Sequence, residues 1–167
     1  MDIRIDDLTG AEVRALLEEH LEEMRAITPA GFVHALGVDA LRGPAVTFSS
    51  AWEGGELAGC AALMELGPHA AEVKSMRTAA RWRRRGVASL LLRHLIDEAR
   101  ARGYESLYLE TGATEAFAGA RALYARHGFE TCEAFGSYAA DGHSYFMRYR
   151  LRASPPSPGP AGQPASD

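Results

Sequence analysis

The amino-acid sequence predicts one α/β domain in which a mixed sheet is flanked by helices. Runs typical of strands alternate with amphipathic helical stretches along residues 1–152. A Gly-Gly pair within residues 53–56 separates two of the strand-like runs, which indicates a β-hairpin. A chain of 167 residues, of which 47% are hydrophobic, suits a single core. Residues 153–167 are mostly Pro, Ser, Gly and Ala, and we expect a disordered tail there.

The first predicted helix begins near Thr9, and its two faces differ in chemistry. Val13, Leu16 and Leu17 recur at helical spacing, which indicates a buried face. The opposite face is acidic, with Glu18, Glu19, Glu22 and Glu23. Solvent contact is the favoured interpretation of this acidic face, and docking of a cationic substrate is the alternative.

The remaining elements follow from the same kinds of periodicity. Helical spacing predicts a short helix within residues 29–43, a longer one from about residue 87 to Gly103, and a last one from Glu115 to Gly128. Apolar runs predict strands at residues 3–5, 46–53, 56–66, 72–78, 106–110, 129–135 and 144–151.

Composition argues against several classes of function. A net charge of −4 and a pI of about 5.9 disfavour a nucleic-acid-binding surface, although Trp82 beside an arginine run leaves a contact to one base open. We expect a cytoplasmic protein without membrane contact, because residues 1–10 contain no apolar signal core and no run approaches ~20 apolar residues. Cys60 and Cys132 are expected to be reduced and mostly buried. The six histidines lack tight metal-binding spacing, so no metal is predicted.

The stretch RWRRRGVASLLL, residues 81–92, poses an electrostatic problem. Four arginines precede the first turn of a helix, although a helix N-terminus carries a partial positive charge and favours an acidic or oxygen-bearing cap. No Ser, Thr, Asp or Asn stands directly before this helix, so its first backbone N–H groups can bind an external anion such as a phosphate. Gly86 would allow the backbone to approach that anion closely. The alternative is a basic surface turn in which the glycine has no function.

Six residues of this stretch, RRRGVA at 83–88, resemble the Q/R-x-x-G-x-G/A signature of the GNAT superfamily of N-acetyltransferases. The resemblance extends in order from the strand AEVKSMRT to the helix ending ALYARHGF, and it covers most of residues 1–151. It implies a mostly antiparallel, twisted sheet, and it implies that the missing anion is the pyrophosphate of acetyl-CoA. The cofactor-binding residues that it implies in this loop are Arg83, Arg84, Arg85, Gly86, Val87, Ala88 and Ser89.

The resemblance also implies the residues that carry out acetyl transfer. Glu72 matches the general base of those members that use a glutamate, and Glu110 is the second candidate. The backbone N–H of Met76 is implied to bind the thioester oxygen, and the main chain of Thr78 to hold the pantetheine arm. Tyr124 matches the helix tyrosine that acts as the general acid. Two alternatives stay open: Glu72 as a surface residue at a hairpin end, and Tyr124 as an orienting donor or as core packing.

One position departs from the family pattern. Phe117 stands where many members have an asparagine whose amide binds the pantetheine, and Thr111 or backbone groups are expected to substitute for it. The acceptor is expected between residues 32–41 and 136–145, where the polar candidates are His34, Tyr138 and His143.

These residues predict an N-acetyltransferase that transfers acetyl from acetyl-CoA to a primary amine of a small molecule. The sequence offers no placed nucleophile, so direct attack by the amine is expected instead of a covalent enzyme intermediate. A non-catalytic acyl-CoA-binding sensor and an acetyltransferase acting on a protein amine are the alternatives. The resemblance further implies that a homodimer formed through the last strands is one available arrangement.

Overall fold

The computed structural model describes residues 1–151, so the tail predicted at 153–167 lies outside the described residues. The helices are α1 (Ala11–Ile27), α2 (Val38–Leu41), α3 (Val87–Ala101) and α4 (Ala118–Arg126). The strands are β1 (Asp2–Ile5), β2 (Val46–Glu53), β3 (Glu56–Gly67), β4 (Ala70–Thr78), β5 (Ser106–Gly112), β6 (Glu130–Thr131) and β7 (Ser144–Arg150).

All these strands belong to one sheet, in the order β1-β2-β3-β4-β5-β7-β6. Neighbouring strands are antiparallel except β4 and β5, which run parallel and are connected through α3. The hairpin between β2 and β3 turns at Gly54 and Gly55, with φ values of +57° and +82°. The predicted mixed, mostly antiparallel sheet with flanking helices is therefore confirmed.

Helices cover both faces of the sheet, and each face has its own hydrophobic core. On one face, α3 buries Val87, Leu91 and Leu95 against β3, β4 and β5. On the other face, α1 buries Val13 and Leu17 against β2 and β3. Each fully buried aliphatic side chain contributes roughly 1.5–3 kcal/mol. The sheet is therefore held from both sides, which fixes the strands that form the site.

Two predicted boundaries differ from the structure. The last predicted helix is divided, because a 3-10 turn at Glu115–Phe117 precedes the shorter α4. The strand predicted at 129–135 is only the two-residue β6, since Phe135 leaves the sheet edge and packs on the ring of Tyr138. Among the helices of residues 1–151, none has the length and apolar character needed to cross a membrane.

Candidate active site

The cleft of this fold opens where β4 and β5 separate. The two strands pair over only three positions, which end with Glu72 opposite Tyr108. Beyond that point β4 continues to Thr78 and β5 continues to Gly112, each bonded only to its outer neighbour, β3 or β7. The inner edges of the two strands are thus free of each other, and a ligand can reach them.

A one-residue bulge turns the side chains of β4 inside this cleft. Ser75 and Met76 together lie opposite the single residue Ala61, and Ser75 has a φ of +50°. The extra residue places Lys74 and Arg77 on the same face of the sheet although they are three positions apart. Met76 has no registered partner among the described strands, and it lies where β4 lines the cleft.

Glu72 lies at the centre of a buried polar cluster. Its side chain is 1% exposed, and its Oε1 accepts a 2.6 Å hydrogen bond from the Tyr138 hydroxyl and lies 3.3 Å from Nζ of Lys74. The same Nζ donates to the Tyr138 hydroxyl at 2.7 Å and to the backbone oxygen of His34 at 3.2 Å. All three N–H groups of Lys74 are therefore used. The alternative in which Glu72 is a surface residue at a hairpin end is wrong.

Arg77 forms a second ion-pair group on the same face of the sheet. Its side chain is 8% exposed, and its guanidinium donates to Glu19 at 2.6 Å and also to Glu23, both in α1. Glu23 lies 3.9 Å from Arg83 in the loop before α3 as well. Two glutamates of the acidic face of α1 are thus partly exposed but bind a buried arginine, which neither interpretation of that face anticipated.

The separated strands enclose a cavity of about 240 Å³. Met76 lines it from β4, Glu110 from β5 and Tyr124 from α4, while α1 and residues 28–35 form the opposite wall. Three of the residues considered for catalysis therefore meet in one cavity. Glu72 is not among the described residues that line it, and instead lines a second cavity together with Lys74 and Tyr138.

Burial raises the pKa values of two residues that line the cavity, Tyr124 and Glu110. It raises the pKa of Tyr124 to about 12, and the Tyr124 hydroxyl has no hydrogen-bond partner within residues 1–151. Burial also raises the pKa of Glu110, for which the described part of the chain supplies no salt bridge. A phenol that remains protonated is a proton or hydrogen-bond donor, and a carboxylate of raised pKa is a stronger proton acceptor.

The arginine-rich loop has a backbone geometry suited to an anion. Gly86, with a φ of +80°, directly precedes α3, and Arg84 has a φ of +60°. A non-glycine residue in this region costs of order 1 kcal/mol, and such strain concentrates at ligand sites. In the described structure no side chain caps α3, and its first turn holds no acidic residue. Because the Val87 side chain is buried in the core, only its backbone N–H can face an anion.

The arginines of this loop differ in their surroundings. The Arg85 guanidinium lies 5.3 Å from the centre of the Trp82 ring, and that ring packs against the core. Arg83 is half exposed beside Glu23, and Arg84 makes no salt bridge within the described residues. Arg83 and Arg84 therefore have guanidinium groups that can reach a diphosphate. This packing of the partly buried Trp82 ring against the core disfavours its stacking on a nucleic-acid base.

The other implied cofactor positions surround the same loop. Thr78 ends β4, and Ser89 lies in the first turn of α3 with its hydroxyl 3.0 Å from Nε2 of His127. Phe117 packs its ring on Gly112, where an added Cβ would come within 2.1 Å of that ring. The position of the missing asparagine is thus filled by an aromatic contact that offers no amide.

Neither cysteine has the surroundings of a nucleophile. Cys60 is fully buried in β3, and burial raises its pKa to about 12. Cys132 is partly buried, and burial raises its pKa as well. A thiol that stays protonated is a poor nucleophile, which agrees with acyl transfer that does not pass through a cysteine.

The cleft between the separating parallel strands and the uncapped start of α3 agree with the acetyltransferase fold that the sequence resemblance implies. The chain belongs to the Acetyltransferase (GNAT) family, because the sequence model of this family matches residues 11–129. It is an N-acetyltransferase by this membership and by the names of its relatives.

Two of these relatives cover nearly the whole chain. The uncharacterized N-acetyltransferase YsnE of Bacillus subtilis (strain 168) is 53% identical over 90% of this chain and 100% of its own. The uncharacterized N-acetyltransferase YedL of Escherichia coli (strain K12) is 47% identical over 89% of this chain and 94% of its own.

Solved structures share the fold. A protein from Klebsiella pneumoniae assigned as an acyl-CoA N-acyltransferase has a TM-score of 0.74 and 27% identity, and the match covers 90% of this chain and 97% of its own. A GNAT family acetyltransferase from Elizabethkingia anophelis, solved with acetyl-CoA bound, has a TM-score of 0.63 and 16% identity over 89% of this chain and 97% of its own. The second likeness shows the fold alone.

Proposed function

We propose that the protein transfers acetyl from acetyl-CoA to a primary amine of a small molecule by direct attack of the amine on the thioester. The observation that carries this proposal is the cavity lined by Glu110, a carboxylate without a salt bridge, by Tyr124, a phenol without a partner, and by Met76, which lies at the bulge of β4. Acyl transfer to an ammonium needs a proton acceptor, an oxyanion donor and a donor to the leaving thiolate, and these three groups provide them.

Acetyl-CoA would lie along β4 with its diphosphate at the start of α3. The first-turn N–H groups of Val87, Ala88 and Ser89, with Gly86 and the guanidinium groups of Arg83–Arg85, would hold the diphosphate. The space beside Gly86 is open, because no described atom tested lies within 4 Å of a Cβ position there. The main chain of Thr78 would contact the pantetheine arm. The acetyl-CoA bound to the Elizabethkingia relative supports the same co-substrate here.

The proton acceptor in this proposal is Glu110. An alkyl ammonium with a pKa near ~10.4 must lose a proton before it attacks, and a carboxylate whose pKa is raised by burial accepts that proton more readily. Glu72, the first candidate from the sequence, has one oxygen bonded by Tyr138 and Lys74 and does not line the cavity that holds Glu110 and Tyr124. We assign to Glu72 the role of holding Lys74 and the loop that carries Tyr138.

Tyr124 would act on the leaving thiolate. Full proton transfer from a phenol with a pKa of about 12 to a thiolate near ~8.5 is uphill by roughly 5 kcal/mol. A hydrogen bond from the phenol has no such cost and stabilises the thiolate by roughly 1.5–3 kcal/mol. We therefore assign to Tyr124 hydrogen-bond donation to the thiolate, with solvent completing the protonation.

The first test is thermal unfolding with and without saturating acetyl-CoA, with adenosine as the control ligand. At ~100 times Kd the bound co-substrate should add ~2.7 kcal/mol, which corresponds to a rise in Tm of roughly 5–10 °C. Release of free thiol in the presence of small primary amines then separates an enzyme from an acyl-CoA-binding sensor. No rise in Tm at millimolar acetyl-CoA would contradict the proposal.

We also propose that the reaction takes place in the cytoplasm, where acetyl-CoA is available. A homodimer is the assembly we propose to test, by light scattering of the purified chain at several concentrations.

A further inference from the structure

The cationic side chains that line the cavity are already occupied by the carboxylates of the chain itself. Lys74 uses its three N–H groups on Glu72, on Tyr138 and on the backbone oxygen of His34. None of these donors remains for a ligand. The Lys74 side chain is only 8% exposed, which further limits its contact with an acceptor molecule.

Arg77 is occupied in a different way. Its charge faces two carboxylates, Glu19 and Glu23, and Glu23 also lies 3.9 Å from Arg83, so the group as a whole carries no net positive charge. The remaining Nε of Arg77 has no partner within residues 1–151, but this atom has almost no accessible surface. A negatively charged group on an acceptor would find neither net positive charge nor an exposed donor here.

The one charged side chain of the lining that makes no salt bridge, among the described residues, is Glu110. His20 adds no positive charge near neutral pH, because burial, together with the charge of Arg77, lowers its pKa to about 4. An ammonium beside Glu110 therefore completes the charge balance of the cavity. A carboxylate on the same molecule would instead add a second negative charge without a cation to receive it.

The wall opposite Glu110 is apolar and partly exposed. Met24 and Ile27 of α1, with Phe32 and Val33 of the following segment, line the cavity on this side. The centre of the Phe32 ring lies 4.0 Å from that of His143 with the ring planes tilted by 34°, so the wall ends in a ring pair that joins two segments of the chain. Partly exposed apolar groups in a cleft indicate a ligand that covers them.

We propose that the acceptor is a monoamine cation that carries an apolar or aromatic substituent and no carboxylate. This inference rests on the proposed function and narrows its substrate class. The ammonium lies beside Glu110, and the substituent lies against Phe32, Met24 and Ile27. Amino acids are disfavoured, because their carboxylate would be desolvated in a cavity of negative balance.

The reaction balances without a further reactant. Glu110 takes one proton from the ammonium, and the nitrogen lone pair forms a bond to the acetyl carbonyl carbon. The carbon–sulfur bond then breaks, the electron pair leaves with sulfur, and the second nitrogen proton is lost as the amide forms. One proton ends on the thiol and one returns from Glu110 to solvent.

Three acceptors of matched size test the inference: 2-phenylethylamine, L-phenylalaninamide and L-phenylalanine. They share the aromatic ring and the amine, but only the last carries a carboxylate. Assays of thiol release by the full chain at about pH 8 keep ordinary imidazoles neutral. We expect kcat/KM for the first two to exceed that for L-phenylalanine by at least ~100-fold. Equal or faster turnover of L-phenylalanine would overturn the inference.

A variant tests the apolar wall separately. Phe32→Ala should lower the ratio of kcat/KM for 2-phenylethylamine to that for ethylamine by at least ~10-fold. Ile5→Ala, at an exposed residue of β1, is the control and should leave this ratio unchanged. An unchanged ratio in Phe32→Ala would overturn the placement of the substituent. If acetyl-CoA raises Tm but none of these amines is acetylated, the inference is wrong while the co-substrate assignment stands. If acetyl-CoA does not bind, the proposed function falls and the inference falls with it.

Discussion

The Tyr138 hydroxyl donates a 2.6 Å hydrogen bond to Oε1 of Glu72, across 66 positions of sequence. This contact joins the loop between β6 and β7 to the middle of β4, and it closes a triangle with Lys74. Because Glu72 and Lys74 are both buried, the triangle holds two charges whose hydrogen bonds must all be satisfied. The loop that carries Tyr138 is therefore positioned by a buried ion pair.

Replacement of Tyr138 by phenylalanine should lower stability. The substitution leaves one acceptor on Glu72 and one donor on Lys74 without a partner, and a loss of about 1–3 kcal/mol is expected. For a domain of this size that is a fall in Tm of roughly 3–10 °C. Tyr108→Phe is the matched control, since the Tyr108 hydroxyl makes no hydrogen bond within the described chain, and it should change stability by less than ~0.5 kcal/mol. Equal Tm values for the two variants would contradict the bond.

Variants of the two candidate bases, Glu110 and Glu72, should differ in their effects on kcat and on the free energy of unfolding. Glu110→Gln should lower kcat by ~10²–10⁴-fold with little change in Tm, because it removes a proton acceptor that makes no salt bridge. Glu72→Gln should instead cost roughly 3–5 kcal/mol, because it leaves the Lys74 ammonium buried without its counter-charge.

The double variant Glu72→Gln/Lys74→Met provides the control for that comparison. It removes both charges of the pair, so it should recover much of the stability that Glu72→Gln loses. Full activity in Glu110→Gln, measured as thiol release at saturating amine, would move the base back to Glu72.

Helices, strands and turns of this fold could be predicted wherever a short stretch of sequence specifies them. The left-handed Gly86 before an uncapped α3 and the Gly54–Gly55 hairpin follow from nearest neighbours, and both are observed. The pair formed by Glu72 and Lys74 also had a local signal, because residues two apart in a strand share a face. Lys74 is nevertheless absent from the site residues that the family resemblance implies.

Other parts of the site depend on contacts that no local pattern encodes. Arg77 would lie on the opposite face from Lys74 in a regular strand, and only the bulge at Ser75 brings the two together. A bulge is selected by pairing with β3 and by packing, so EVKSMRT alone does not reveal it. The pairing of Glu19 with Arg77 likewise joins α1 to a strand 58 positions away.

Stability should fall in mild acid through His20. Burial and the nearby Arg77 lower the pKa of His20 to about 4, below its ordinary 6.5. Between these values the unfolded chain binds a proton that the folded chain does not, so stability present above pH 6.5 is lost as the pH falls toward 4. The full effect is about 3 kcal/mol. Urea unfolding measures the free energy of unfolding of the wild type and of His20→Leu across this pH range. The part of its pH dependence that comes from His20 should be present only in the wild type.

Tyr124→Phe should lower kcat by ~10–100-fold, the effect of losing one hydrogen bond to a developing thiolate. Since the raised pKa of about 12 keeps the phenol protonated, loss of the Tyr124 proton should not limit wild-type kcat below about pH 11. Thiol release at saturating amine measures both effects, and Tyr108→Phe again serves as the control. An unchanged kcat in Tyr124→Phe would reduce this residue to core packing.

Alanine variants of Gly86 and Gly55 distinguish the effect of backbone strain on stability from an effect on acetyl-CoA binding. Their φ values are +80° and +82°, and an added Cβ would meet nothing described within 4 Å at either position. Alanine at each site should therefore cost a similar amount of stability, about 1 kcal/mol, from the left-handed backbone alone. Only Gly86 lies at the start of α3, so only Gly86→Ala should raise Kd for acetyl-CoA, by ~10-fold or more. Calorimetric titration of both variants measures this difference, and an equal Kd would remove the loop from the co-substrate site.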